Sequence, residues 1–197
     1  MNIISRRGAG KTQLARALVW ALGVRGELSG GVVVFSETAG YSGDWAGIGV
    51  SHPFSDAVLG HYIEAQKRRF SASQGRGQPP PLLTVVFDDC ADGPFHESKL
   101  VKWLYTKGRH IRVTIVSLVQ FPTQLSPAAR NNADHVFVGG QAGDGLKAIF
   151  EMISFPGQFR DFERLAWERT RDHAFMCFSA ATGRFTFRRA EARVFTV

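Results

Sequence analysis

The chain has few of the residues that build metal-bound or disulfide-bonded proteins. Its 197 residues include only two cysteines, Cys90 and Cys177. Neither belongs to a C-x-x-C pair or to a Cys/His group with the spacing of zinc ligands, which argues against a structural zinc site. We therefore expect two buried free thiols in a protein of a reducing compartment.

Long apolar runs are also missing. No apolar stretch approaches the roughly 18 residues needed to cross a bilayer, and no signal peptide precedes the first predicted strand. We expect a soluble, intracellular protein that does not contact membranes. No internal repeat is visible, and 197 residues are enough for a single domain, 1–197, with a sizeable core.

Basic residues outnumber acidic ones. The chain has 24 Lys and Arg against 17 Asp and Glu, a formal net charge of +7. This balance favours polyanionic partners such as nucleic acid, although small Arg-rich proteins are often basic without binding any. The basic residues cluster in segments 67–76, 109–112 and 184–193. Each cluster is either a contact to DNA phosphates or a solvated basic surface.

Strand-like and helix-like segments alternate, which predicts an α/β fold with a mostly parallel central sheet. The apolar runs predict strands at 2–4, 32–35, 82–87, 113–119 and 135–138. Helices are predicted at 11–22, at 54–70 with Ser55 as the N-cap, and at 97–108, 144–153 and 157–171. Segments 36–51 and 120–130 are predicted loops, and 71–81 a mobile connector. Residues 173–197 alternate like antiparallel strands at 174–178, 184–188 and 193–197, which either continue the main sheet or form a side element.

Residues 5–12 read Ser-Arg-Arg-Gly-Ala-Gly-Lys-Thr and follow the first predicted strand. They match the phosphate-binding pattern G-x-x-x-x-G-K-[ST] at its last three positions, while Ser5 replaces the first glycine. In this pattern the lysine reaches the β- and γ-phosphates and the hydroxyl holds Mg²⁺. Backbone N–H groups of the loop and of the helix start bind phosphate oxygens. The sequence therefore predicts ATP and Mg²⁺ as ligands, with nucleotide-binding residues Gly8, Ala9, Gly10, Lys11, Thr12 and Gln13.

A second motif is the apolar run 82–87 followed by Asp88 and Asp89. An acid at the carboxyl end of a parallel strand lies at the sheet edge where ligands bind. We predict that Asp88 joins Thr12 in the metal shell and that Asp89 acts as the general base for the attacking water. The alternative is that the two aspartates only cap a turn.

Two further polar residues are candidates for catalysis. Gln120 ends the apolar strand 113–119, and its side-chain amide can donate to a γ-phosphate oxygen or a water and can accept from a water. Arg130 precedes the strand 135–138 and could stabilise transition-state charge in a neighbouring subunit's site. The alternatives are an ordinary strand end for Gln120 and a surface pair with Asp134 for Arg130.

Together these segments resemble the viral genome-packaging ATPases of the FtsK–HerA branch of P-loop NTPases, which poxviruses and other large double-stranded DNA viruses carry. Segments 5–12, 85–89, 107–115, 118–120 and 130–134 occur in the order seen in that family. The resemblance covers 2–140, and Gly108-Arg109-His110 before the strand that ends in Gln120 is its most specific part.

The resemblance implies a three-layer ASCE core of the RecA/FtsK type and a homo-oligomeric ring, typically a hexamer. It implies ATP-driven movement of double-stranded DNA into a preformed capsid, with a capsid or portal protein as a partner. The location it implies is the host-cell cytoplasm, the viral factory or the virion. The catalytic residues would be Lys11, Asp89, Gln120 and Arg130.

Two features depart from the family. Ser5 replaces a glycine, and almost nothing precedes the first strand, so the chain is either a minimal version or lacks an N-terminal segment. A nucleoside or nucleotide kinase, or another non-motor P-loop ATPase, is the alternative function. A GTPase would need Asn-Lys-x-Asp, and residues 131–134 lack the lysine.

Overall fold

One mixed sheet of eight strands organises the protein, whose computed structural model describes residues 1–24, 30–90 and 94–189. The strands are β1 Asn2–Ile4, β2 Val32–Ser36, β3 Val50–His52, β4 Leu83–Asp88, β5 Val113–Val119, β6 His135–Val138, β7 Ala174–Ser179 and β8 Arg184–Arg189. Across the sheet they lie in the order β3-β2-β4-β5-β1-β6-β7-β8. All pairs among β1 to β6 are parallel. The predicted α/β fold with a mostly parallel sheet is confirmed.

Strand β5 lies between β1 and β4. Ile3 of β1 is in register with Leu118 of β5, and Val86 of β4 is in register with Val116 of β5. Every residue of β4 is buried, as a strand covered by helices on both faces requires. The ends of β1, β5 and β4, which carry the predicted motifs, therefore lie side by side at one edge of the sheet.

The C-terminal strands continue the main sheet. Strand β7 pairs antiparallel with β6, and β8 pairs antiparallel with β7. The predicted strand at 193–197 lies outside the described residues. Because β7 runs opposite to β6, its first residue lies at the same edge as the last residue of β6.

Helices cover both faces of the sheet. They are α1 Lys11–Val24, α2 Asp56–Gly75, α3 Pro94–Glu97, α4 Lys99–Lys107, α5 Pro127–Asn131, α6 Gly143–Met152 and α7 Phe159–Arg169, with 3₁₀ turns at Gly108–Ile111 and Pro122–Gln124. Successive residues of a strand point to opposite faces. Val34 accordingly packs with Leu14 of α1, while Val33 packs with Leu59 of α2. The result is the predicted three-layer arrangement.

The predicted N-cap of α2 is confirmed. The Ser55 side chain accepts a hydrogen bond from the Val58 amide, which satisfies one of the unpaired donors at the helix start. Both cysteines are buried thiols that form no disulfide, also as predicted. Among the described residues, no helix has the length and apolarity of a membrane span.

Four predicted boundaries were wrong. The connector at 71–81 begins later, because α2 continues to Gly75 and buries Ser73, whose hydroxyl donates to the Phe70 carbonyl at 2.7 Å. The loop at 36–51 ends in strand β3, which is too short to show a period of two. The helix predicted at 97–108 begins at Lys99 with Ser98 as N-cap, because the preceding residues form the separate short helix Pro94–Glu97. The loop at 120–130 contains α5, which starts with Ser126 as N-cap and Pro127 in its first turn.

Candidate nucleotide-binding site

The predicted phosphate loop joins β1 to α1, and the Lys11 side chain hydrogen-bonds back to the start of the loop. Nζ of Lys11 donates to the carbonyl oxygens of Ser5 at 3.0 Å and Arg6 at 3.4 Å. Gly8 and Gly10 adopt φ of +76° and +93°, a region that glycine enters without strain. The loop therefore bends back over the start of α1, as a phosphate cradle requires.

The start of α1 leaves backbone donors free for an anion. The first hydrogen bond of the helix runs from the Leu14 amide to the Gly10 carbonyl at 3.0 Å. The amides of Lys11, Thr12 and Gln13 precede it and have no partner within a helix. These N–H groups and the positive end of the helix dipole favour a phosphate at this position.

Serine fits where the pattern has its first glycine. Ser5 is fully buried, and it is not among the described residues with positive φ. Its amide donates to the Val119 carbonyl at 3.2 Å, which ties the loop to the end of β5. Glycine is instead required at Gly139, because a Cβ there would lie 2.9 Å from the Ser5 Cβ and 2.5 Å from the Phe175 ring. The absence of a side chain at Gly139 makes room for Ser5.

Asp88 ends β4 and meets Thr12 across the sheet edge. The Thr12 hydroxyl donates to Oδ2 of Asp88 at 3.3 Å, and the indole Nε1 of Trp45 donates to the same oxygen at 2.9 Å. Burial raises the pKa of Asp88, while the bonds from Trp45 and Thr12 and the charge of Lys11 act in the opposite direction. The carboxylate is thus desolvated but held in place by two donors.

The donors around Thr12 fit Mg²⁺. A hydroxyl and a carboxylate converge there, and Mg²⁺ prefers oxygen ligands. Within the described ranges, no group of three His, Cys, Asp or Glu side chains could hold a metal by itself. Mg²⁺ is typically held by one or two carboxylates together with phosphates and waters. Thr12 and Asp88 would hold the ion, which would supply charge neutralisation on the phosphates.

Asp89 turns away from the strand that Asp88 ends. Its φ is +52°, its side chain is exposed, and its amide donates to the Leu118 carbonyl at 3.3 Å. Burial lowers the pKa of Lys11, and the charge of Asp89 is the largest influence that raises it again. The charge of the exposed Asp89 carboxylate therefore reaches the Lys11 ammonium. Its role as a general base stays a prediction.

Gln120 follows β5 between the phosphate loop and Asp89. Its backbone amide donates to Oε1 of Gln124 at 2.7 Å, and its backbone carbonyl accepts from Nε2 of Gln141. These bonds hold the backbone at the point where β5 ends beside Ser5. Gln120 thus lies at the same edge as Lys11 and Asp88, and its catalytic role stays a prediction.

The structure does not bring Arg130 to the phosphate loop of its own chain. Arg130 lies on α5, and the preceding Ala129 accepts a hydrogen bond at 3.0 Å from Nδ2 of Asn2, the first residue of β1. The phosphate loop leaves the opposite end of β1. Arg130 could therefore act only on another subunit, which stays a prediction.

Trp45 is the site residue that the sequence did not assign. It belongs to the Gly-rich segment between β2 and β3, yet it is only 3% exposed and packs with Leu14 and Val86. An aromatic residue in a polar loop after the strand next to β4 was the one available signal. Its contact to Asp88 spans 43 positions, and nothing local in the sequence predicts it.

We expect Trp45→Phe to weaken the response to Mg²⁺. The ring would stay buried while the donor to Asp88 is lost, which raises the pKa of Asp88 further and loosens the carboxylate. Partners of metal ligands typically contribute about 10- to 100-fold to metal affinity or activity. The check is nucleotide turnover against Mg²⁺ concentration. Trp20→Phe is the matched control, and an unchanged Mg²⁺ dependence for Trp45→Phe would show that the bond is not needed.

Comparisons with known proteins found relatives among viral proteins. No protein-family model matches the chain. Protein 015R of Frog virus 3 (isolate Goorha), described as uncharacterized, is 29% identical over 141 residues, which cover 69% of this chain and 42% of that protein. Protein 075L of Invertebrate iridescent virus 6, also uncharacterized, is 25% identical over 166 residues, covering 82% and 61%. The matched regions thus span less than two thirds of these curated relatives.

Solved structures show the same fold. The genome packaging NTPase B204 of Sulfolobus turreted icosahedral virus 2, in complex with AMPPCP, is similar with a TM-score of 0.68 and 12% identity, covering 98% of this chain and 97% of that chain. The cytoplasmic domain of the type VII secretion ATPase EccC of Thermomonospora curvata is similar with a TM-score of 0.67 and 14% identity, covering 100% and 26%. The fold is therefore that of the P-loop ATPases.

Proposed function

We propose that this chain is an ATP-hydrolysing motor of the FtsK–HerA branch that moves double-stranded DNA and packages a viral genome. One observation carries the proposal: the phosphate loop, the Asp88–Asp89 pair and Gln120 follow three adjacent strands and meet at one edge of the sheet. The similarity to a protein described as a genome packaging NTPase, and to proteins of Frog virus 3 and Invertebrate iridescent virus 6, supports the proposal.

The site residues would divide the work of hydrolysis. Lys11 would exchange its loop carbonyls for the β- and γ-phosphate oxygens and neutralise their charge. Thr12 and Asp88 would hold Mg²⁺. Asp89, exposed beside the loop, would orient a water and accept its proton, and the Gln120 amide would contact that water or the γ-phosphate. The arrangement suits transfer to water better than transfer to a small hydroxyl substrate, which separates it from a kinase.

The described basic residues differ in how free they are to contact DNA. Lys67 pairs with Glu64 at 2.6 Å, and Arg69 donates to the Gly30 carbonyl at 2.8 Å. Arg109 lies within the 3₁₀ turn Gly108–Ile111 and Arg112 directly follows it; both are exposed, at the edge opposite the phosphate loop. We assign DNA phosphate contacts first to this second cluster. Such contacts bind without reading sequence and weaken with salt.

The assembly belongs to the same proposal. A ring, most simply a hexamer, would place Arg130 of one subunit towards the nucleotide of the next. That position would let the guanidinium stabilise transition-state charge. A capsid or portal protein would be the docking partner, in the host-cell cytoplasm, the viral factory or the virion. The chain 1–197 is proposed to act as one ATPase domain.

ATP hydrolysis measured with and without duplex DNA tests the function. A motor should hydrolyse ATP faster when DNA is present, and the stimulation should decline as salt rises because phosphate contacts release counterions. A nucleoside or nucleotide added in place of DNA tests the kinase alternative. Phosphorylation of that acceptor, or hydrolysis that ignores DNA at every salt concentration, would contradict the motor.

A further inference from the structure

A cavity opens beside the phosphate loop. It has a volume of about 770 Å³, and the residues that line it include Gly8, Ala9, Gln141, Trp167, Thr170 and Arg171. These residues come from the loop, from the segment after β6 and from the end of α7. The cavity is therefore continuous with the loop that would hold the phosphates.

The direction of a bound nucleotide can be read from the strand order. Asp88 and Asp89 follow β4, which lies on the β5 side of β1, and they mark where the metal and the terminal phosphate would be. Strand β6 flanks β1 on the other side, and the Arg6 amide donates to the Gly140 carbonyl at 3.4 Å. A nucleotide with its terminal phosphate near Asp88 would thus extend its nucleoside towards this cavity.

Trp167 presents a large apolar surface in that cavity. The residue is 68% exposed, an unusual state for tryptophan in a folded protein. The guanidinium carbon of Arg171 lies 4.7 Å from the centre of its ring. A planar cation stacked on an indole forms a platform that suits a flat aromatic ligand, because stacking and cation–π attraction then act together.

We propose that this cavity is the nucleobase subsite and that a purine ring stacks on the platform of Trp167 and Arg171. The inference rests on the proposed nucleotide binding. It adds that the segment after β6 and the end of α7 recognise the base. Gln141, which also donates to the Gln120 carbonyl, links the segment that lines this subsite to the residue predicted to sense the γ-phosphate. Thr170 donates to the Ala166 carbonyl at 2.7 Å, so its hydroxyl oxygen keeps lone pairs that can accept from the base.

The test compares the binding of ATP with that of inorganic tripolyphosphate, each with Mg²⁺. This comparison distinguishes the contribution of the base to affinity from that of the phosphates. Calorimetry on wild type, Trp167→Ala and Trp167→Phe provides the comparison. Base–aromatic stacking predicts that Trp167→Ala weakens ATP binding about 5- to 100-fold. Tripolyphosphate binding should stay within about twofold, and Trp167→Phe should keep most of the ATP affinity, because phenylalanine still stacks. Trp20→Ala, at a tryptophan on α1 that is 39% exposed, is the matched control.

Three results would overturn the subsite. One is equal ATP affinity in wild type and Trp167→Ala; another is an equal loss for ATP and tripolyphosphate. The third is a change of oligomeric state in Trp167→Ala, measured by light scattering, with nucleotide binding intact, which would make Trp167 an interface residue. Failure of the proposed nucleotide binding looks different, because wild type would then bind neither ATP nor tripolyphosphate; a failure of the motor alone would leave ATP binding intact and show only in the hydrolysis assay with DNA.

Discussion

Lys11→Ala should abolish measurable ATP turnover and weaken ATP binding by at least about 100-fold, since a charged hydrogen-bonding partner of the phosphates is lost. Lys11 is only 7% exposed and already points its ammonium at the loop carbonyls of Ser5 and Arg6. Nucleotide binding would replace those neutral acceptors with charged phosphate oxygens, which are the stronger partners. The measurements are calorimetry for ATP and phosphate release for turnover.

Two control variants distinguish a loss of phosphate binding from a loss of folding. Lys11→Met removes the charge but keeps an apolar side chain of similar length, so it should bind as poorly as Lys11→Ala while leaving a smaller cavity. Lys102→Ala removes an exposed lysine of α4 and should behave like wild type. Thermal unfolding should show that both Lys11 variants are folded. Full turnover in either of them would remove the phosphate loop from the site.

Asp89→Asn should retain ATP binding and lose hydrolysis. A general base typically contributes about 10²- to 10⁴-fold to the rate, and the amide cannot accept the proton of the attacking water. The fold should tolerate the change, because Asp89 has φ of +52° and asparagine enters this left-handed region readily. We expect ATP affinity to stay within about threefold of wild type, since Lys11 and Thr12 provide the phosphate and metal contacts.

The matched control is Asp161→Asn, which removes an exposed carboxylate that pairs with Arg164 at 3.3 Å. Exposed pairs of this kind contribute at most about 1 kcal/mol, so turnover and stability should change little. Asp89→Ala is less informative, because a Cβ without a local hydrogen-bonding group is strained at positive φ. Turnover by Asp89→Asn at the wild-type rate would assign the base to another residue.

Predictions that depended on neighbouring residues in the sequence succeeded most often. The strand Val113–Val119 and the strand His135–Val138 have the predicted bounds, because each is a short run of buried apolar residues. The prediction of a connector at 71–81 also relied on local composition, and it was wrong. Its Ser, Gly and Gln composition is typical of a loop, yet the buried Ser73 and the packing of α2 extend the helix to Gly75. Tertiary packing outweighed local propensity there.

The residues of the candidate site likewise include some that local sequence predicts and one that it does not. Lys11 and Thr12 could be assigned from the sequence, because a phosphate loop is one continuous segment whose geometry is local. Asp88 could be placed beside the phosphate loop, because the carboxyl ends of parallel strands lie at the same edge of the sheet. Trp45 could not, since its bond to Asp88 depends on how the segment after β2 folds back over α1.

The sequence by itself determined that this chain carries a phosphate-loop motif after its first strand, and its two acids and Gln120 at strand ends. It could do so because these signals are short, and each places its chemistry within one strand and the turn that follows. Only the tertiary structure decided that β5 separates β1 from β4, that β7 and β8 complete the sheet, and that Trp167 lies beside the phosphate loop. Those facts depend on packing between segments far apart in the chain, where many arrangements satisfy the same local pattern and the burial of the whole core selects one.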